Sequence, residues 1–138
     1  MKKIRLGVVG LGHRGRLMFQ LAGEKFDCVI PVAACDLYDR NWYEKQWLMD
    51  KPMCEIFPDA TFYNDYDKML NEANLDAVIV ETGADIHAEF CMKALQKNIN
   101  VLTDIPVVAN LKEGYVTDYG MLMLAVLLGS LPTRGIFF

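Results

Sequence analysis

Ile4-Arg5-Leu6-Gly7-Val8-Val9-Gly10-Leu11-Gly12-His13-Arg14-Gly15-Arg16 is the stretch that decides the fold of this chain. Its first half is an apolar run, which is typical of a parallel strand covered on both faces. Three glycines follow in the spacing G-x-G-x-x-G, and apolar residues then recur at helical spacing. The stretch therefore predicts a buried strand, a tight turn and the start of a helix.

Each of the three glycines has a distinct physical task in such a turn. Gly10 lets the chain turn sharply out of the strand, Gly12 leaves room for a pyrophosphate beside the backbone, and Gly15 allows close packing of helix on strand. The helix N-terminus adds unpaired N–H groups and a partial positive charge. The six-residue motif alone does not distinguish a phosphate-binding loop from a glycine-rich turn that binds nothing.

The following strand favours a dinucleotide-binding loop. A second apolar run, Val29 to Cys35, ends in Asp36, which lies 21 residues after Gly15. A carboxylate at this position accepts hydrogen bonds from the adenosine ribose and repels a 2′-phosphate, which favours NAD over NADP. Arg40, four residues after Asp36, weakens this preference for NAD, because a nearby arginine can accommodate the 2′-phosphate. We expect His13 and Arg14, within the loop, and Thr82, after a later strand, to contact the cofactor as well.

The composition indicates one packed domain. The chain has 138 residues, of which 53% are hydrophobic and 23% charged. Its net charge is −4 and it has no basic run, which excludes nucleic acid as a partner. The apolar run Met121 to Leu128 is far shorter than the ~20 residues that span a bilayer. The four cysteines show no C-x-x-C spacing, so we expect no metal site and reduced thiols in a cytoplasmic protein.

Strands and helices alternate along the rest of the chain. We predict helices over 13–24, 39–51, from Asp65 to about Asn74 and over 86–97, and strands over 29–35, 61–63, 75–82 and 101–103. Asp65 and Asp85 are the predicted helix caps. Pro31 marks either a bulge or the point where its strand begins to pair. The alternation predicts an α/β fold with a doubly wound, mainly parallel Rossmann-type sheet in a single domain.

Two segments carry less regular patterns. Trp42, Tyr43, Trp47 and Leu48 form one face of the predicted helix 39–51, which favours packing over ligand binding. Residues 115–138 contain one acid and one base. They either complete the sheet with a last helix and strand or form an aberrant tail, so we assign 1–114 alone to the dinucleotide-binding domain.

Residues 3 to about 114 resemble the nucleotide-binding half of the Gfo/Idh/MocA family, which includes glucose–fructose oxidoreductase and inositol dehydrogenase. The resemblance rests on Ile4 to Gly15, Val32 to Asp36, Asp76 to Val80, Asp85-Ile86-His87, Ala94-Leu95 and Asn100 to Pro106. It implies an NAD-dependent oxidoreductase acting on a sugar or polyol. It also implies a second, larger substrate domain that this chain lacks, so we expect a truncated chain that is inactive alone and forms a homo-oligomer.

Two departures from the family pattern leave alternatives open. Thr82-Gly83 stands where the family shows Thr-Pro, and Asp104-Ile105-Pro106 replaces Glu-Lys-Pro. The family lysine serves acid/base chemistry and cofactor positioning, and Ile105 can do neither because it has no donor, acceptor or charge. The alternatives are an NAD-dependent glycoside hydrolase resembling the N-acetylgalactosaminidase group, and a non-catalytic fragment that binds nucleotide or self-associates.

The sequence alone does not identify the catalytic residues, but it offers two candidates, His87 and Asp104. The resemblance places His87 near the nicotinamide end of the cofactor, where it either contacts the cofactor or handles a proton. The alternative is a histidine that is bonded to a local carbonyl. Asp104 lies at the carboxyl end of a strand, where open α/β sheets bind ligands, and is either a general base or a turn residue.

Overall fold

The computed structural model describes residues 3–47 and 49–103, together with the backbone of 136–137. The strands are β1 (Ile4–Val9), β2 (Val29–Cys35), β3 (Thr61–Tyr63), β4 (Ala77–Val80), β5 (Asn100–Thr103) and β6 (Ile136–Phe137). The helices are α1 (His13–Lys25), α2 (Arg40–Tyr43), α3 (Met53–Ile56), α4 (Tyr66–Glu72) and α5 (His87–Gln96). All pairs are parallel, in the order β3-β2-β1-β4-β5-β6, which confirms the predicted doubly wound sheet.

Strand β1 lies at the centre of this sheet. It pairs with β2 on one side and with β4 on the other, and it is followed at once by the glycine-rich turn. The strand order reverses between β1 and β4, so the carboxyl ends of these two strands flank the topological switch point. Open α/β sheets bind ligands at that point.

The sheet separates two apolar layers. On one face, α1, α2 and α3 bury Phe19, Trp42 and Met53. On the other face, α4 and α5 bury a set that includes Met69 and Cys91. Side chains of a strand alternate between faces, and in β4 the residues Val78, Ile79 and Val80 accordingly divide between the two layers.

A bulge interrupts the pairing of β1 with β2. Leu6 pairs with Pro31, whereas the next residue, Gly7, pairs with Ala33, so Val32 is the extra residue. Proline has no N–H to donate to a sheet, and a bulge is one of the few places where a strand tolerates it. Pro31 therefore marks a bulge and not the point where β2 begins to pair.

The predicted helix 39–51 is wrong, because α2 ends at Tyr43 and a separate short helix, α3, follows Pro52. The carbonyl of Arg40 accepts from the N–H of Glu44 at 3.0 Å and also from the side-chain amide of Gln46 at 2.9 Å, which together close the end of this helix. Trp42 is 2% exposed and Trp47 is 79% exposed, so the aromatic residues do not share one packed face.

The two predicted caps have different outcomes. The Oδ1 atom of Asp65 accepts from the backbone N–H of Lys68 at 2.9 Å, which confirms this cap. Asp85 is not a cap: α5 begins at His87 after Ile86, without a side-chain cap bond. The N–H of Ile86 bonds instead to the carbonyl of Gly83 at 3.1 Å, and this turn delays the helix start.

Several predicted features lie outside the described residues. These are Asp104, Ile105, Leu48 and the apolar run 121–128. Of residues 115–138, the structure describes only the backbone of β6, which pairs with β5. The two alternatives for this segment therefore stay predictions. None of the described helices is long and apolar enough to cross a membrane.

None of the four cysteines forms a disulfide, and Cys35 and Cys91 are buried. Burial, reinforced by the negative charge of Asp36, raises the pKa of the Cys35 thiol from 9.0 to about 12. Folding therefore keeps Cys35 protonated above pH 9, where the unfolded chain has lost this proton. The stabilisation is complete below pH 9 and decreases as the pH rises from about 9 to about 12.

We predict that the free energy of unfolding falls with rising pH above 9 less steeply in Cys35→Ala than in the unchanged chain. The difference in this fall should reach about 1 kcal/mol by pH 10, because one fewer thiol titrates only in the unfolded state. Urea unfolding at pH 8, 9 and 10 measures it. Cys54→Ala, at a partly exposed position, is the control for the removal of a thiol as such.

Candidate functional site

A cleft of about 370 Å³ opens at the carboxyl ends of β1, β2 and β4, at the switch point of the sheet. Backbone and side chains from the turns after these strands form its rim, and the first turn of α5 closes one side. Its lining residues include Gly10, Gly12, Asp36, Tyr38, Asn41 and Thr82. The cleft thus gathers four of the residues that the sequence predicts to bind a cofactor.

The three glycines of the turn are required for different reasons. Gly10 has φ +87°, and a Cβ there would lie within 3.0 Å of the carbonyl of Glu81. A Cβ on Gly15 would lie equally close to the carbonyl of Gly10. A Cβ on Gly12, in contrast, would meet no atom within 4 Å. The fold itself requires Gly10 and Gly15, whereas Gly12 faces open space in which a pyrophosphate could approach the backbone.

The turn is held in place through Leu11. Its side chain is fully buried, and its N–H donates to Oδ2 of Asp36 at 2.6 Å. From the other direction, Nη1 of Arg16 donates to the Leu11 carbonyl at 2.5 Å. Sequence analysis missed both contacts of Leu11; the only available signal for Arg16 is its position directly after the last glycine of the motif.

Arg16 is a buried cation close to a carboxylate. Burial lowers the pKa of its guanidinium from the ordinary value, and the negative charge of Asp36 opposes this shift. Arginine stays charged in proteins, so the pair Arg16 and Asp36 keeps opposite charges on the two sides of Leu11.

The carboxylate of Asp36 accepts three hydrogen bonds from the protein. Besides the Leu11 N–H on Oδ2, its Oδ1 accepts from the N–H of Tyr38 at 2.9 Å and from Nδ2 of Asn41 at 3.1 Å. An ionised carboxylate has about four lone-pair sites. One site, on Oδ2, is therefore left for a ribose hydroxyl, so Asp36 combines the predicted ligand role with a structural one.

Thr82 presents a polar atom without a partner among the described residues. Thr82 is one of the residues that line the cleft, and its Oγ1 is buried and makes no hydrogen bond to the described residues. A buried hydroxyl without a partner is unfavourable, and a bound ligand with a polar atom would satisfy it. Together, the open space at Gly12, the free site on Asp36 and this hydroxyl fit a dinucleotide.

His87 lies behind the cleft wall and is 4% exposed. Its Nδ1 lies 3.1 Å from the carbonyl of Thr82, and its Nε2 contacts Oγ1 of Thr103. Because a carbonyl can only accept, Nδ1 carries a proton. Both ring nitrogens thus bond within the protein, and the local carbonyl bond that was one of the two interpretations is present.

The loop residues His13 and Arg14 are exposed at the start of α1. The ring of His13 lies 6.2 Å from that of Trp47, across a shallow depression of about 150 Å³. Neither residue is among those that line the larger cleft. Within residues 3–47 and 49–103, no group of three or more His, Cys, Asp or Glu side chains could hold a metal ion.

We predict that Gly12→Val folds normally and does not bind NAD, because the new side chain occupies open space that the pyrophosphate needs. Gly15→Ala is the matched control: its Cβ meets the carbonyl of Gly10, so this variant should lose stability. Circular dichroism melts combined with NAD titration by calorimetry measure both. Unchanged NAD affinity in a folded Gly12→Val variant would show that the turn is not the phosphate site.

Comparison with known proteins identifies related sequences. Residues 4–115 match the GFO_IDH_MocA family, described as an oxidoreductase family with an NAD-binding Rossmann fold. Inositol 2-dehydrogenases from Salmonella paratyphi B and Salmonella typhimurium are each 28% identical over 104 residues. The match covers 75% of this chain but 29% of those proteins, so the chain spans less than a third of their length.

Solved structures show the same fold. Myo-inositol 2-dehydrogenase from Lactobacillus plantarum superposes with a TM-score of 0.74 at 23% identity, covering 99% of this chain and 36% of that one. The WlbA dehydrogenase from Chromobacterium violaceum, in complex with NADH and UDP-GlcNAcA, gives a TM-score of 0.75 at 19% identity, covering 99% and 35%. The family match spans most of the chain, and the chain therefore belongs to the Gfo/Idh/MocA oxidoreductase family as an NAD-binding Rossmann domain.

Proposed function

We propose that this chain binds and orients NAD for a dehydrogenase that oxidises a polyol or sugar. The open cradle at Gly12, between Asp36 and Thr82, is the observation that carries the proposal. The names of the relatives support the substrate class, since they include inositol dehydrogenases and a dehydrogenase crystallised with a sugar nucleotide.

The residues of the cleft divide the work of holding the cofactor. The N–H groups at the start of α1 carry a partial positive charge and face the pyrophosphate. Asp36 accepts a hydrogen bond from the adenosine ribose, and Thr82 offers its hydroxyl to the cofactor. NAD supplies the hydride acceptor when bound. His87 holds the carbonyl of Thr82 and thereby fixes the loop that carries this hydroxyl.

Asp36 also carries the proposed preference for NAD over NADP. Its negative charge lies where the ribose hydroxyls of the adenosine would bind, and a 2′-phosphate would be repelled there. The absence of a disulfide among the four cysteines supports a location in the reducing cytoplasm. Ile105, which motivates the glycoside hydrolase alternative, lies outside the described residues, and no described residue favours that alternative.

We predict that the chain binds NAD at least tenfold more tightly than NADP, and that Asp36→Asn reduces this ratio. The asparagine removes the charge and keeps one oxygen that can accept the Leu11 N–H, whereas the N–H of Tyr38 and the amide of Asn41 lose their acceptor. Calorimetric titration with both nucleotides measures the ratio. Asp39→Asn removes the same charge from an exposed position and is the control. Equal affinities in the unchanged chain would contradict the preference.

We further predict that the chain alone does not oxidise myo-inositol above background. In an enzyme, orientation of the substrate against the reacting group lowers the barrier of the reaction by roughly 7–11 kcal/mol. Of the two candidate catalytic groups, His87 has both nitrogens bonded within the protein, which leaves it poorly placed to handle a substrate proton. Absorbance at the NADH band, recorded with saturating NAD and myo-inositol, measures the rate. NADH formation well above a blank without protein would contradict this prediction.

We propose that the chain self-associates as a twofold dimer. Leu17 and Trp47 are 46% and 79% exposed and lie on one depression beside α1, so association would remove apolar surface from water. We predict a dimer by light scattering after size exclusion, and a shift toward monomer in Trp47→Ser. Phe26→Ser, at the opposite end of α1, is the control and should leave the mass unchanged. A monomeric unchanged chain at micromolar concentration would contradict the proposal.

A further inference from the structure

Arg40 lies close to the predicted ribose site without contacting its carboxylate. It follows Asp36 by four residues, yet the cleft lining includes Tyr38 and Asn41 and not Arg40. The side chain that donates to Oδ1 of Asp36 is the neutral amide of Asn41. The guanidinium of Arg40 lies instead over the ring of Tyr38, 5.1 Å from its centre.

The position of this cation matters for the chemistry of the ligand. An arginine near the ribose can accommodate a 2′-phosphate, and it would also screen the carboxylate that repels such a group. Arg40 has the charge and the sequence position for both effects. The carboxylate of Asp36 accepts from Leu11, Tyr38 and Asn41, and the guanidinium of Arg40 lies over the Tyr38 ring instead of bonding to it.

We propose that Tyr38 is a specificity-determining residue, whose ring retains the Arg40 guanidinium and so keeps the site selective for a dinucleotide with a free 2′-hydroxyl. The inference rests on the proposed function, because it concerns the discrimination between two nucleotides at the same cleft. It assigns the selectivity to two side chains in addition to Asp36.

The surroundings of Tyr38 suit this role. Its N–H donates to Oδ1 of Asp36, so the backbone that carries the ring is tied to the carboxylate itself. Tyr38 is 57% exposed at the rim of the cleft, and the Arg40 guanidinium lies over its ring. Exposed pairs of this kind shift an equilibrium by about two- to fivefold, which sets the size of the expected effect.

A double-mutant cycle tests the inference. The quantity measured is the Kd of NADP divided by the Kd of NAD, obtained by calorimetry for the unchanged chain, Tyr38→Leu, Arg40→Ala and the double variant. A general effect on the adenosine pocket changes both constants and cancels in the ratio. We expect Tyr38→Leu to lower the ratio two- to fivefold, because Arg40 becomes available to the 2′-phosphate.

The other variants separate the proposed role from loss of packing. Arg40→Ala should leave the ratio near that of the unchanged chain, and the double variant should restore it, because the gain in NADP binding needs the freed cation. Tyr38→Phe retains the ring and should retain the ratio. Tyr43→Leu removes an equally exposed tyrosine that packs on Phe62, and it should have no effect on the ratio.

The possible failures are distinguishable. If the unchanged chain binds no NAD, the proposed function fails and this inference fails with it. If NAD binds but Tyr38→Leu leaves the ratio unchanged, or lowers it equally when Arg40 is absent, the inference alone is overturned. Tyr38→Gln provides the same loss of the ring should Tyr38→Leu not fold.

Discussion

The hydrogen bond from the Leu11 N–H to Oδ2 of Asp36, 2.6 Å long, is the contact on which the site depends. It joins the turn after β1 to the end of β2, in addition to the backbone bond from the Gly10 N–H to the Cys35 carbonyl at 2.9 Å. The guanidinium of Arg16 donates to the carbonyl of Leu11, and the Leu11 side chain is buried in the core. The position of Gly12, and with it the open cradle, follows from these three contacts.

The same carboxylate therefore serves the fold and the ligand. Three of its acceptor sites are used by Leu11, Tyr38 and Asn41, so a ribose can take only the remaining one without displacing a protein group. Removal of Asp36 would release the turn as well as the ribose contact. Selectivity and affinity are coupled at this residue, which is why a substitution that keeps an acceptor oxygen is more informative than truncation.

The parts of the fold that depend on short-range patterns were predictable from the sequence. The strands, the parallel order, the glycine turn and Asp36 all follow from periodicity and spacing, and so does the Asp65 cap. The end of α2 and the start of α5 were not predictable, because the backbone becomes extended at Glu44 and because a turn closes from Ile86 onto Gly83. The contacts of Arg16 with the Leu11 carbonyl and of His87 with Thr103 were not predictable either, because these groups come together only when the chain has folded.

The glycine motif combines two constraints that the sequence cannot separate. A side chain at Gly10 or Gly15 would collide with the backbone of the protein itself, whatever the chain binds. Those two positions therefore indicate a tight strand-to-helix turn, and a turn without a ligand would require them equally. Only Gly12 faces open space, so an internal packing argument does not account for it. A ligand is therefore indicated by Gly12, which internal packing does not require, by the free acceptor site on Asp36, and by the buried Thr82 hydroxyl, which has no partner among the described residues.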